Sequence, residues 1–340
     1  IAGLPPIYGL YCALVPQVMY AIFGSSRQVA IGPVAMDSLI VATGVSTLAL
    51  AGSDSYISIA ILLALLVGLI QFFMGVFRLG FVVNFLSKPV ITGFTSAIAL
   101  IIGLNQFGNL FGIDFTQSDQ IQHLIKNIWG QLANYSSHTT LIGCFSIVLI
   151  VIFRKINKKI PNALIVVILG ILVIKYFGKS LGDVSIIRDI PSGLPSFGVP
   201  NFDIDQIREL LPIALTLVMV GYLETISIGK SLEAKQEEYR IRPNQELIAL
   251  GLSNLVGSLF QAYPISSSFS RSAVNQESGG KTGMAALISV VMVLLTVLFF
   301  TPLFYHLPKT VLAAIIIVAV FGLINIKEAL YLLKVNHLDF

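Results

Sequence analysis

Apolar runs long enough to cross a hydrocarbon layer recur along this chain and constrain its fold more than any other feature. The run GMAALISVVMVLLTVLFFTPL at 283–303 is one example. A segment inside a membrane has no water to satisfy its backbone, so only helices and closed barrels span it. About 20 apolar residues suffice for a helix. Charged residues make up only 11% of the sequence, so little of the chain is built to face water. The sequence therefore predicts an all-α polytopic membrane protein.

The predicted spans cover most of the length. We place them at residues 8–23, 33–50, 57–77, 89–111, 139–154, 162–177, 208–229, 245–260, 267–278, 283–303 and 309–325. Two longer polar stretches predict ordered loops outside the membrane. The stretch 113–138 has room for a short amphipathic helix, and 178–207 is rich in Gly, Pro and Asp.

The distribution of positive charge predicts the orientation. If residue 1 lies near the outer face and the spans alternate, most of the 21 Lys and Arg residues fall on one side, with RKINKKIP at 154–161 contributing most. The positive-inside rule makes that side cytoplasmic. Arg271 is the exception that stays within the membrane. The opposite side receives the smaller set, Lys126, Lys175, Lys179, Arg188, Arg208 and Lys309.

Two segments break the helical pattern within the membrane. In SRQVAIGPVAMDSLIVATGV (26–45), QVAI predicts a short strand, and Pro33 suits the first turn of a helix that starts after it. In AYPISSSFSRSAVNQES (262–278), Pro264 blocks a continuous helix, and Ser267 or Ser268 is a candidate N-cap. One such segment alone is equally well an ordinary loop. Two, near opposite ends of the chain, favour an inverted-repeat transporter with its site at the midplane.

Two half-helix starts that face each other predict an anion site. Their free N–H groups and partial positive charge attract anions without any fixed ligand. Arg271 lies about one turn into the second half-helix. An arginine inside a membrane is costly unless it is paired or faces a cavity. Two interpretations stay open for it: it snorkels to the cytoplasmic surface, or it adds positive potential to the site.

Four stretches closely resemble the SulP family of anion transporters, which includes bacterial and plant sulfate permeases, mammalian anion exchangers and prestin. They are GLPPIYGLY, FGSSRQVAIGPVA, NQELIALGLSNLVGSLFQAYPISSSFSRSAVNQESGGKTG and LPKTVLAAIIIVAVFGLI. The resemblance implies fourteen membrane segments in two inverted repeats of seven, arranged as a core and a gate domain. It also implies a cytoplasmic STAS domain and a substrate site between the third and tenth segments.

The resemblance carries site residues over by position. Its third-segment motif falls on Gly32, Pro33, Val34 and Ala35, and its tenth-segment motif on Ser268, Phe269, Ser270 and Arg271. We expect the first-repeat part at 1–178, a loop at 179–206 and the second-repeat part at 207–340. Against the family pattern, the sequence lacks most of the first segment, the last two segments and the STAS domain, so we expect it to be a truncated piece.

Two acids away from the ends of predicted spans are candidates for a functional role, while the other Asp and Glu residues are assigned to loops. Glu224 lies in VMVGYLETISIGKSL. Desolvation favours the neutral form of a carboxyl group, so Glu224 can carry a proton, or else it makes a structural hydrogen bond to a nearby Ser or Thr. The resemblance places it where symporters have a proton-coupling acid. Asp37, about one turn past Pro33, is either a structural cap or a second protonatable group.

The leading hypothesis is a secondary-active inorganic anion transporter that takes up sulfate with H+ by an elevator-like alternating-access mechanism. Alternatives are an anion exchanger, a bicarbonate or dicarboxylate transporter, a prestin-like voltage sensor and a nucleobase permease. An intramembrane serine hydrolase built on SSSFSRS lacks a histidine within a span to serve as base. We expect no enzyme activity, no cofactor and no metal. The expected partners are an anion, H+, the lipid bilayer and, for the full-length protein, a second copy in a homodimer. A bacterial protein of this kind resides in the inner (plasma) membrane.

Overall fold

A computed structural model describes most of the chain as helices. The described residues are 2–81, 100, 103–113, 121–156, 161–178, 181–182, 184–187, 193–233, 239–277 and 279–321. The chain divides into two compact units, each assembled from two separate stretches of sequence. The first unit combines Ile1–Leu86 with Pro191–Phe300, and the second combines Ser87–Ile190 with Thr301–Phe340.

The first unit carries all of the predicted site residues. Its helices and strands are α1 (Pro6–Tyr11), α2 (Val15–Phe23), β1 (Ile31–Gly32), α3 (Ala35–Val45), α4 (Asp54–Val76), α9 (Ile204–Glu233), α10 (Pro243–Ser258), β2 (Ser266–Ser267), α11 (Phe269–Glu277) and α12 (Met284–Leu295). A π-helical turn, Thr296–Phe300, follows α12.

Glycines let α4 and α10 cross in close contact. A Cβ on Gly68 would meet the backbone of Leu255, and one on Gly251 would meet the backbone of Phe72. Because backbone atoms cannot move aside as a flexible side chain can, only glycine fits at both positions. Small residues at such crossings are how helices in membranes approach closely. The α4–α10 pair forms the rigid support on which the broken segments rest.

The two strands pair with each other in antiparallel register. Ile31 lies opposite Ser267 and Gly32 opposite Ser266. The sequence predicted the first strand at QVAI, but the ladder is confined to Ile31–Gly32. Pro33 has no N–H to continue the ladder, and α3 starts at Ala35, so the pairing stops there. The predicted arrangement of two short strands, each leading into a half-helix, is confirmed.

The second unit packs around its own apolar core. Its helices are α5 (Phe107–Phe111), α6 (Ile121–Gln131), α7 (Ser137–Ile156), α8 (Asn162–Phe177) and α13 (Lys309–Phe321). Buried Leu110, Ile150, Val166 and Val311 join α5, α7, α8 and α13. Helix α6 is the amphipathic helix predicted within 113–138. The unit contains none of the predicted site residues.

Five helical stretches of the described chain are long and apolar enough to span a membrane. They are Pro6–Phe23, Asp54–Val76, Ser137–Ile156, Ile204–Glu233 and Met284–Phe304, with mean hydropathy from 1.4 to 2.6. The predicted span 8–23 is interrupted between α1 and α2. The predicted spans 33–50 and 267–278 are shorter helices of 11 and 9 residues. Most of the predicted span 89–111 and the end of 309–325 lie outside the described residues.

Candidate functional site

The strand pair brings the starts of α3 and α11 side by side. The backbone N–H of Ser268 donates to the carbonyl oxygen of Ala30 at 2.9 Å, which extends the ladder by one bond beyond β1–β2. The N-cap of α3 is Val34, which offers no side-chain oxygen to the first N–H groups of that helix. The α3 N-terminus therefore has no side-chain cap of its own to compete with an anion.

Ser268, one of the two N-cap candidates from the sequence, is the N-cap of α11. Its Oγ accepts from the backbone N–H of Arg271 at 3.4 Å. One turn later, the Ser272 hydroxyl donates to the Ser268 carbonyl at 2.7 Å and accepts from the Ala30 N–H at 2.9 Å. Because the Ser268 hydroxyl acts as an acceptor in the cap, its own proton is left to donate.

Arg271 reaches across the junction to the other half-helix. Its Nη1 donates to the carbonyl oxygen of Pro33 at 3.1 Å. A Cβ built on Gly32 would lie 3.2 Å from Nη2, so a side chain at position 32 would crowd the guanidinium. Within the described residues Arg271 makes no ion pair with a carboxylate. Its charge is directed at the start of α3 rather than at a fixed anionic partner.

An open cavity of about 240 Å³ lies against the start of α3. Such a volume suits a small solute rather than a drug-sized one. Its lining residues are Ala2, Leu4, Pro5, Pro6, Gly9, Pro33, Val34, Ala35, Ser38 and Tyr263. Three of the predicted site residues, Pro33, Val34 and Ala35, are therefore in the wall. Ser268, Phe269 and Arg271 are not, although Arg271 contacts Pro33 at the edge.

Tyr263 and Ser38 also line this cavity, although the sequence did not predict them as site residues. Their hydroxyls are 3.1 Å apart and hydrogen-bonded. The buried Cys12 thiol donates to the Tyr263 carbonyl at 3.5 Å. Their positions in the sequence could have indicated this role, because Tyr263 directly precedes Pro264 in the broken segment and Ser38 directly follows Asp37.

A buried amide holds the extended segment before β2 in place. Asn254 of α10 accepts from the Ile265 N–H at 2.9 Å and donates to the Ile265 carbonyl at 3.1 Å, as a neighbouring strand would. Its Nδ2 also donates to Oε1 of Gln71 in α4 at 3.0 Å. The unpaired backbone left by Pro264 is thereby satisfied within the protein, as a broken segment in a membrane requires.

Both predicted acids lie behind the strand pair. Ser266 Oγ donates to Glu224 Oε2 at 3.0 Å, while the neighbouring Ser267 hydroxyl pairs with Thr225 at 2.6 Å. Glu224 is half-buried, and Asp37 is only 2% exposed. The Asp37 carboxyl contacts the same Ser266 hydroxyl, and Asp37 Oδ1 has no hydrogen-bond partner within the described part of the chain. The sequence analysis considered Asp37 and Glu224 one at a time, whereas the fold places both next to Ser266.

The assignment of the other Asp and Glu residues to loops is wrong for Glu246. This residue lies in the first turn of α10 and is 1% exposed. Its carboxylate accepts from the hydroxyl of Tyr20 at 2.6 Å and from the N–H of Ser25 at 2.8 Å. Glu246 lies at the first positions of the predicted span 245–260, where an acid at a span edge was assigned to a loop. Glu246 fixes the loop that leads into β1.

Comparison with known proteins gives consistent matches over the whole chain. A family model described as the sulfate permease family matches residues 1–340. Two relatives from Arabidopsis thaliana are sulfate transporter 4.1, chloroplastic, at 41% identity, and probable sulfate transporter 4.2, at 40%. Each alignment covers 100% of this chain, but only 50% and 51% of the respective relative. The chain thus spans about half the length of the curated relatives it matches.

Solved structures of similar fold include SLC26A9 and BicA. The overall structure of SLC26A9 superposes with a TM-score of 0.91 at 26% identity, covering 99% of this chain and 56% of that one. The transmembrane domain of a cyanobacterium bicarbonate transporter, BicA, gives a TM-score of 0.87 at 24% identity and shows the fold alone. It covers 99% of this chain and 86% of that domain.

Proposed function

Because this chain belongs to the sulfate permease family, and is thus part of a multi-pass integral membrane protein, we propose that the protein carries an inorganic anion, sulfate first among the candidates. The proposed binding residues are Pro33, Val34, Ala35, Ser268, Phe269, Ser270 and Arg271. The curated relatives are named as sulfate transporters rather than enzymes, which supports transport over the hydrolase alternative.

The main support for this proposal is the position of two helix N-termini and Arg271 at one place. The β1–β2 ladder places the N-terminus of α3 beside that of α11, with the Arg271 guanidinium 3.1 Å from the Pro33 carbonyl. Two helix starts and one unpaired cation make a positive site that needs no fixed ligand. The hydrogen bond from the exposed Arg271 side chain to Pro33 supports a role at this junction over snorkelling. The Ser268 hydroxyl adds a donor at the same place.

The coupling ion in this proposal is H+, carried by Glu224. Glu224 contacts Ser266 of β2, so its charge lies directly behind the strand that leads into the anion site. A proton on Glu224 removes a negative charge that would oppose anion binding. Proton and anion therefore favour each other's binding, as linkage requires. An anion exchanger is the second candidate, because the same positive junction would serve it without any proton.

The transport step proposed for the full-length protein is alternating access. In this proposal the first compact unit moves as the core that holds the anion, and the full-length protein forms a homodimer as the family resemblance implies. The first unit contains both half-helices, Glu224 and the supporting α4–α10 pair, so it has the parts that an elevator-like movement must keep together.

The experiment is tracer sulfate uptake into proteoliposomes that contain the full-length protein. Sulfate should accumulate when the outside is made acidic, and unlabelled sulfate should compete better than bicarbonate, chloride, oxalate or a C4-dicarboxylate. If sulfate accumulates independently of the pH gradient but only when another anion is present inside the proteoliposomes, the result favours the anion exchanger. If bicarbonate competes better than unlabelled sulfate, then bicarbonate is the favoured substrate instead of sulfate.

A further inference from the structure

Asp37 of α3 and Glu224 of α9 share one neighbour, the Ser266 hydroxyl. That hydroxyl donates to Glu224 Oε2 at 3.0 Å, and the Asp37 carboxyl contacts the same group. The two carboxyls also interact through their charges. A serine hydroxyl has a single proton to give. With that proton directed to Glu224, the contact from Asp37 is favourable only when Asp37 is itself protonated and donates to Ser266 Oγ.

A second, independent group lies beside this pair. Gln71 is fully buried, and its Nε2 has no hydrogen-bond partner among the residues that the structure describes. Asn254 fixes the orientation of this amide, because its Nδ2 points at Gln71 Oε1 while both ends of Asn254 are held by Ile265. A Cβ built on Gly221 would be 3.9 Å from both Gln71 Nε2 and Ser266 Oγ. Gly221 is one helical turn before Glu224, so the unused donor lies in the neighbourhood of Ser266, the residue that Glu224 contacts.

Neither carboxyl has a permanent countercharge in the described part of the chain. Tyr263 is the other ionisable group that faces Asp37, and beyond it lie Cys12 and Arg271. The Arg271 guanidinium is held on the Pro33 carbonyl. A buried carboxylate without a partner is strongly unfavourable. Each carboxyl must therefore take up a proton when it is closed off from water.

We propose that Asp37 and Glu224 form a proton-binding dyad that loads two protons for each divalent anion. This rests on the proposed anion transport and extends it to stoichiometry. Glu224 is half-buried and exchanges protons with water, whereas Asp37 is sealed and exchanges through Ser266. In one relay step the Asp37 proton moves to Ser266 Oγ while the Ser266 proton moves to Glu224 Oε2. The unused donor of Gln71, near Ser266, is available to a carboxylate that has released its proton.

The dyad has a consequence for charge movement. Two protons balance the charge of a sulfate ion, so loaded and empty sites differ by no net charge. A single carboxyl would leave one negative charge uncompensated, and an inside-negative membrane potential would oppose uptake. Full-length Asp37→Asn should therefore make sulfate uptake sensitive to membrane potential.

The experiment counts protons taken up when sulfate binds. Purified full-length protein in weakly buffered solution is titrated with sulfate, bound anion is measured by calorimetry, and protons are measured with a pH indicator across the neutral range. A lone carboxyl takes up at most one proton per anion at any pH. For the wild type, the number of protons taken up per bound sulfate should exceed one at its maximum. For Asp37→Asn and for Glu224→Gln this number should stay at or below one. For the double variant it should be close to zero.

Two neighbouring serines of β2, Ser266 and Ser267, provide a test of the proton relay and a matched control. Ser266→Ala should slow uptake of the second proton, whereas Ser267→Ala should not, because that buried hydroxyl contacts Thr225 instead. Asp54→Asn, an acid in the first turn of α4, is the charge control and should leave the count unchanged.

The wild-type count alone can overturn the dyad. If sulfate binds and the count never exceeds one, the dyad is wrong while anion transport stands, even should Asp37→Asn fail to fold. If the wild type does not bind sulfate at all, the proposed function fails first. A count above one that persists in Asp37→Asn would assign the second proton elsewhere and also contradict the dyad.

Discussion

Arg271 supplies a positive side-chain charge at the junction of the half-helices, and its effect on an anion should depend on charge more than on shape. At about 8 Å and an effective dielectric constant of ~20, a unit charge contributes about 2 kcal/mol. Arg271→Gln in the full-length protein should weaken sulfate binding more than about tenfold, and Arg271→Lys should retain much of the affinity. Calorimetry on purified variants measures both. Equal affinity for Arg271→Gln and wild type would leave the helix N-termini as the sole anion ligands.

Ser268 should contribute less than Arg271. Ser268→Ala removes one hydroxyl donor near the α11 start, and a neutral hydrogen bond contributes about 0.5–1.5 kcal/mol. Sulfate affinity should therefore fall by less than about tenfold in the same titration. Ser268→Thr keeps the hydroxyl, both as cap and as donor, and should bind close to the wild type. A loss for Ser268→Thr as large as for Ser268→Ala would show that the hydroxyl is not the active group.

Glu224 should control coupling rather than binding. Glu224→Gln preserves the shape and a polar contact for Ser266 but cannot pass a proton to water. We expect pH-driven sulfate accumulation to disappear while sulfate binding or exchange is partly retained. Tracer uptake with and without an acid-outside gradient makes the comparison. Continued accumulation against a sulfate gradient under a pH gradient would exclude Glu224 as the proton carrier.

At the scale of elements, Asn254 is the anchor of the segment that leads into β2. Asn254→Ala leaves the buried N–H and carbonyl of Ile265 without partners, at a cost of about 1–3 kcal/mol for each buried group. The thermal midpoint of the purified full-length protein should fall, and sulfate affinity should fall with it. The adjacent Ser253→Ala is a suitable control, since the buried Ser253 hydroxyl bonds only to Ala249 of its own helix. Equal midpoints for both variants would contradict an anchoring role.

The broken elements were the part of the fold that the sequence predicted best. Pro33 and Pro264 each remove a backbone donor, which dictates where a helix cannot continue, and Ser268 is a strong N-cap type. Pairing of Ile31 with Ser267 could not be read locally, because it joins residues that are distant in sequence. The same holds for the meeting of Asp37 and Glu224, and for Tyr263 and Ser38 in the cavity wall. Glu246 was missed because it lies at the edge of the predicted span 245–260 and was assigned to a loop.

At the scale of the whole molecule, the compact units and the predicted repeats are different divisions of the chain. The predicted repeats divide it once, near 179–206, whereas each compact unit draws on both sides of that loop. Helix periodicity and hydropathy carry no information about which spans pack together, so this interleaving was not predictable. The repeat boundaries at 1–178 and 207–340 stay a prediction.

The central claim is that an oxyanion binds where the starts of α3 and α11 meet. Selenate, a heavier analogue of sulfate, can be located by anomalous scattering in crystals of the full-length protein. We expect one peak per protomer within hydrogen-bond distance of backbone N–H groups at both helix starts, close to Arg271 and absent when sulfate is added in excess. A selenate peak elsewhere, or none at a concentration that saturates binding in solution, would contradict it.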